Sequence, residues 1–201
     1  AAEGEGAPGP QGAPVPRPGR PTVAFLYGGV VAGPADRRRP RGRLHPVPPG
    51  AGSFEAYGPA NSAALCNELA QDIVPLVESS YKVAGKPRSR AFAGLSMGGH
   101  HALTVSMNHH DKFNWIGAFS SAPPPTNSIA AGLDAPDAVN RDLKLLWIAC
   151  GKKDFLFQRN NEFNALLKSK GIKHEYVETE GDHSWPVWRR YLVEFSPRLF
   201  R

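Results

Sequence analysis

The chain has 201 residues, 41 % hydrophobic and 21 % charged, with 21 glycines, 20 prolines, two cysteines and a formal net charge of +6. That length and apolar content suit one domain rather than two, and two cysteines alone build neither a disulfide framework nor a four-ligand zinc site. No stretch approaches the roughly 18 uncharged apolar residues of a membrane helix, and the basic balance implies a polyanion partner only if it lies on the folded part.

The charge is concentrated at the start. Through Arg43, seven arginines stand against Glu3, Glu5 and Asp36, a surplus of four charges, and only two remain for everything after. Glycine and proline are segregated in the same way, with 12 of each up to Pro59 and 17 of both together afterwards. Residues 1–21 therefore read as a Gly/Pro-rich tail, extended or disordered, because nothing there offsets the chain entropy. The expected domain covers 22–201, with 22–59 irregular and basic and 60–201 carrying the regular elements. With no initiating Met and no charged segment leading into an apolar one, the chain reads as a mature product, an engineered chain or an incomplete reading frame. A secreted location is favoured over a cytoplasmic one.

In chain order, Thr22–Tyr27 (TVAFLY) is a short apolar run entering a tight turn at Gly28-Gly29, as a buried strand would. Ala35–Gly52 returns to loop character. From Ser62 to Tyr81, Leu65, Leu69, Ile73, Leu76 and Val77 recur at helical spacing, with Asn61 or Ser62 as N-cap and a kink expected at Pro75. Arg90–Leu95 (RAFAGL) predicts a strand followed at once by a helix over Gly98 to about Asn108. Phe113–Ser120 and Leu143–Cys150 are apolar runs suited to strands covered on both faces. Arg159–Lys170 is an amphipathic helix closed by Gly171, His174–Thr179 a strand, and Pro186 to about Phe195 a last helix with Pro in its first turn. Strands alternating with helices predict an α/β fold, a mostly parallel sheet with helices on both faces.

Gly94-Leu95-Ser96-Met97-Gly98 matches G-x-S-x-G between a predicted strand and a predicted helix. A sharp strand-to-helix turn leaves no room for side chains two residues either side of the serine, which explains the glycines. Ser96 would project into a cleft above the helix N-terminus, where the Met97 N–H lacks an internal partner and faces a developing oxyanion. A serine hydroxyl needs a histidine to take its proton and a carboxylate to orient that histidine. Asp154 follows the apolar run Leu143–Cys150, and His183 lies in the turn between the last strand and the last helix, so Ser96, Asp154 and His183 have the order and places such a site requires.

Other polar residues read more plainly. Asp182 adjoins His183 as a turn former, and Asp134 and Asp137 fall in a Pro/Gly/Ala-rich loop. His100, His101, His109 and His110 read as helix-face residues rather than metal ligands, since no acidic or Cys cluster accompanies them, with His100 or His101 close to the cleft. Ser120 and Ser121 end a strand, and Cys66 and Cys150 are small core residues. Trp185 is a candidate wall of a substrate pocket, and Trp188 packs the last helix onto the sheet.

The blocks Phe54–Asn61, Ala93–Gly99, Phe119–Ala122, Leu146–Asp154 and Gly181–Leu192 resemble the esterase-D-like group of carbohydrate esterase family 1, the feruloyl and acetyl xylan esterases, over roughly Ser53 to Phe200. The resemblance implies an α/β-hydrolase fold, no metal or organic cofactor, and hydrolysis of carboxylic esters, with Ser96 as nucleophile, Asp154 as acid, His183 as base and Met97 as one oxyanion donor. Such proteins usually carry a His-Gly-Gly-type turn for the second donor. Here Tyr27-Gly28-Gly29 is the nearest equivalent, so Gly28 and Gly29 are the candidates. The expected substrate is a small or polysaccharide-linked ester of feruloyl or acetyl type, with no nucleic-acid or membrane partner. The alternatives are an acyltransferase of the same fold, or a binding-only relative with a defective oxyanion hole.

Overall fold

The computed structural model of the chain describes residues 22–25, 59–80 and 83–201. The predicted tail over 1–21 and the Arg/Pro-rich stretch over 35–52 lie outside them.

Five strands form one sheet: β1 (Thr22–Phe25), β2 (Arg90–Leu95), β3 (Trp115–Phe119), β4 (Leu145–Gly151) and β5 (Glu175–Thr179). They lie side by side in chain order and every neighbouring pair is parallel. Parallel neighbours need long crossovers, and these are helical: α1 (Pro59–Glu68) and α2 (Val74–Ser80) before β2, α3 (Met97–Asn108) between β2 and β3, α4 (Ala130–Leu133) and α5 (Pro136–Asp142) before β4, and α6 (Phe157–Ser169) before β5. The last helix, α7 (Trp185–Phe195), follows β5.

The period-two alternation of the strands sorts their side chains into two cores. Phe92, Ile116, Ala118, Leu146 and Ile148 face one side, packing on Leu69, Leu103, Leu133, Val139, Phe163 and Leu167 of the crossover helices. Ala91, Ala93, Trp115, Phe119, Trp147 and Ala149 face the other, where Val187, Trp188, Tyr191 and Phe195 of α7 cover them. Crossovers of one hand in sequential order return over one face. Among the described residues α7 therefore supplies the helical cover of the second face. Its aromatic residues bring it there, Phe119 meeting Trp147, Tyr191 and Phe195 at ring-centroid distances of 5.4–5.9 Å.

Two segments differ from expectation. The kink at Pro75 takes the form of a π-turn over Leu69–Ile73, with the Val74 N–H bonded to the Leu69 carbonyl. Pro75 has no N–H to give, and its ring would clash with the carbonyl four residues back in a regular helix, so the preceding turn widens. The stretch holding Asp134 and Asp137, expected as loop, forms the short helices α4 and α5 instead. Pro136 stands at the first turn of α5, where a missing N–H costs nothing, and burial of Leu133 and Val139 outweighs weak local propensity.

Candidate active site

Ser96 sits between the end of β2 and the start of α3 at φ 52, ψ −113, a conformation that costs a non-glycine residue about 1–3 kcal/mol. The surroundings hold it there. The Ser96 N–H donates to the Phe119 carbonyl at 2.9 Å, and the Ser96 carbonyl accepts from the N–H groups of His100 at 3.1 Å and Ala122 at 3.4 Å. Gly94 and Gly98 allow the turn to close, because a Cβ on Gly94 would fall onto the Gly98 backbone. Met97 is the first residue of α3, and the first N–H groups of a helix are without intrahelical acceptors. Gly28 and Gly29, the candidates for the second oxyanion donor, lie outside the described residues.

Asp154 follows β4 on a turn whose N–H donates to the Gly151 carbonyl at 3.0 Å. Its loop is tied to the one that carries His183: the Lys152 N–H donates to the Thr179 carbonyl at 2.8 Å and the Lys153 N–H to the Gly181 carbonyl at 2.9 Å. A Cβ on Gly151 would fall onto that same Gly181 carbonyl, so the two loops meet through their main chains. Asp154 is 5 % exposed, and its Oδ1 accepts the Leu156 N–H at 2.8 Å.

These three loops bring Ser96, Asp154 and His183 together. His183 Nδ1 lies 2.9 Å from Asp154 Oδ2, and His183 Nε2 lies 2.9 Å from Ser96 Oγ. A carboxylate only accepts, so the neutral imidazole carries its proton on Nδ1 and donates it to Asp154. Nε2 is left as the acceptor for the Ser96 hydroxyl. The imidazole lies between two rings, Phe155 at 4.6 Å and Trp188 edge-on at 4.9 Å. Trp185 packs against Trp188 at 5.4 Å and is 52 % exposed. Phe155, adjacent to Asp154, is not among the residues the motifs single out, although an apolar ring directly after a polar turn marks it.

The remaining candidates stand apart from this relay. Asp182 is exposed, and Asp134 pairs with Lys170 at 3.3 Å. His109 and His110 fall just past the end of α3 rather than on its face, and His110 Nδ1 meets Asp142 of α5 at 2.7 Å in a half-buried pair. Ser120 and Ser121 are buried just past β3, with Ser120 at φ 45. Cys66 and Cys150 are buried free thiols; burial, helped by the nearby Asp154 carboxylate, pushes Cys150 up to about 12, so it stays a thiol. Among the described residues no group of three or more His, Cys, Asp or Glu is placed to hold a metal ion, and no helix is long and apolar enough to cross a membrane.

His100 is buried in the first turn of α3, its Nδ1 3.0 Å from the Ala122 carbonyl and its Nε2 3.3 Å from Ser62 Oγ. Burial is the largest cause lowering the pKa of His100, His109 and His174, with the bonds to Ala122 and Ile172 opposing it at the first and last. The unfolded imidazoles bind protons once pH falls below about 6.5, while the folded ones resist. The contribution of these three histidines to stability is therefore fully present above that value and is lost as pH drops through the lower folded values. The urea midpoint is expected to be higher at about pH 8 than at about pH 5.5, and a midpoint that rises on acidification would contradict this linkage.

Comparison with known proteins agrees with the fold. The Esterase family model, described as "Putative esterase", matches residues 27–199. An acetyl esterase of Caldicellulosiruptor saccharolyticus is 26 % identical over 180 residues, covering 73 % of this chain and 68 % of that protein. A diacylglycerol acyltransferase/mycolyltransferase of Mycobacterium leprae is 32 % identical over 198 residues, covering 71 % and 59 % respectively. The solved structure of a ferulic acid esterase from the anaerobic fungus Anaeromyces mucronatus gives a TM-score of 0.60 at 25 % identity, covering 77 % of this chain and 59 % of that one. The chain thus spans about two thirds or less of the length of these relatives.

Proposed function

The chain belongs to the Esterase family, and from that premise we propose that it hydrolyses carboxylic esters through an acyl-enzyme on Ser96. The observation that carries this reading is the unbroken hydrogen-bond relay from Ser96 through His183 to Asp154, 2.9 Å at each step. His183 Nε2 takes the Ser96 proton as Oγ bonds to the ester carbonyl carbon, and Asp154 stabilises the imidazolium that results. The Met97 N–H faces the negative charge on the carbonyl oxygen. When the intermediate collapses, the bond to the alcohol oxygen breaks and Nε2 returns the proton to that oxygen. Water then repeats the sequence on the acyl-enzyme and releases the acid.

Feruloyl or acetyl esters, small or attached to polysaccharide, are the proposed substrates. Support comes from the relatives named acetyl esterase and ferulic acid esterase, and from Trp185, exposed two residues after His183, as a pocket wall. The purified protein is expected to hydrolyse p-nitrophenyl acetate and methyl ferulate, and a fluorophosphonate is expected to label Ser96. A folded protein that does neither would overturn the reading. The likeness to the mycobacterial acyltransferase supports a second outcome, transfer of the acyl group to an alcohol. The partition of product between water and added alcohol distinguishes the two.

A further inference from the structure

Phe155 is 75 % exposed, more than any other large apolar side chain among the described residues. Leaving a phenyl ring in water forgoes the apolar gain that usually draws it inward, and this ring does not lie loose. It rests against the imidazole of His183, with centroids 4.6 Å apart and planes at 48°. The buried Trp188 supports the imidazole from another side, so Phe155 adds an exposed apolar face beside a ring that is already held.

The position of that face is set by chemistry. His183 Nε2 points to Ser96 Oγ, and in the acyl-enzyme reading, on which this inference rests, Nε2 must also reach the alcohol oxygen of the ester. The carbonyl side is held at Ser96 and Met97. A substituent on that alcohol oxygen leaves the site beside the imidazole, the ring on which Phe155 packs. We propose that Phe155 is a specificity-determining contact for the alcohol half of the ester, favouring alcohols that present a flat apolar face over small ones.

Benzyl acetate and methyl acetate test this, because they share the acyl group and their alcohols are of similar acidity. Phe155→Ala is expected to lower the benzyl-to-methyl ratio of kcat/KM about tenfold, the scale of one aromatic contact, and Phe155→Tyr to restore it. Circular dichroism of the variants checks the fold, which an exposed ring should not disturb. An unchanged ratio in Phe155→Ala, whether both esters slow by the same factor or neither slows, would overturn the contact and leave Phe155 as a support for the imidazole. Failure of the wild-type protein to cleave either ester, with no fluorophosphonate on Ser96, would instead remove the acyl-enzyme reading and this contact with it.

Discussion

Ser96→Ala is expected to lower kcat/KM for p-nitrophenyl acetate by about 10⁴- to 10⁶-fold, since members of such a relay act as a unit. Among the described residues no other hydroxyl replaces the Oγ: Ser120 and Ser121 are buried beyond β3, and neither bonds to His183. The same position separates catalysis from stability. Alanine keeps a Cβ on a backbone at φ 52, whereas glycine adopts that conformation without strain. Ser96→Gly is expected to be as inactive as Ser96→Ala and more stable than it by about 1 kcal/mol, equivalent to about 2–4 °C in Tm. Calorimetry of the two variants decides the matter, and a Ser96→Gly protein that melts below Ser96→Ala would show that the backbone at Ser96 is not strained.

Asp154→Asn is expected to cost about 10⁴-fold in kcat with little change in Tm. Asparagine matches aspartate in shape, so its carbonyl oxygen can keep the Leu156 N–H that Oδ1 now accepts at 2.8 Å. The amide nitrogen then faces His183 Nδ1 and donates to it. That places the imidazole proton on Nε2, turned towards Ser96, and removes the acceptor the hydroxyl needs. Asp154→Ala leaves the Leu156 N–H without its partner in a buried place, which adds a stability loss of about 1–3 kcal/mol. Rates on p-nitrophenyl acetate and melting temperatures of both variants distinguish tautomer control from structural damage. If Asp154→Asn kept more than about a tenth of wild-type kcat, the relay would not depend on this carboxylate.

Much of this arrangement is legible in the residues because the constraints on it are local and steric. The glycines two before and two after Ser96 are needed by a turn that brings their backbones into contact, and the apolar runs ending at Leu95 and Cys150 mark where β2 and β4 deliver the serine and the aspartate. The histidine follows from chain order and from the turn before Pro186. Other features depend on contacts distant in the chain. Around Asp134, Ala, Gly and Pro read locally as a loop, because the reward for folding α4 and α5 is burial of Leu133 and Val139 in the core shared with α3, which precedes them by about 30 residues. The packing of Phe155 on His183 joins residues 28 positions apart, and no periodicity encodes it. The distance between the Asp154 and His183 loops is set by main-chain bonds between Lys152, Lys153, Thr179 and Gly181, to which the side-chain pattern is silent.

The helix that, among the described residues, covers the second face of the sheet also begins two residues after the proposed base. α7 joins the sheet through side chains rather than through the strand ladder. On heating, it can peel from Trp147 and Phe119 while the five parallel strands keep their hydrogen bonds, a local opening that needs less free energy than global unfolding. Such an opening carries His183 away from Ser96 first. Loss of ester hydrolysis is then expected to precede loss of the far-ultraviolet circular dichroism signal, and better packing under α7 is expected to raise the temperature at which activity fails without touching the chemistry.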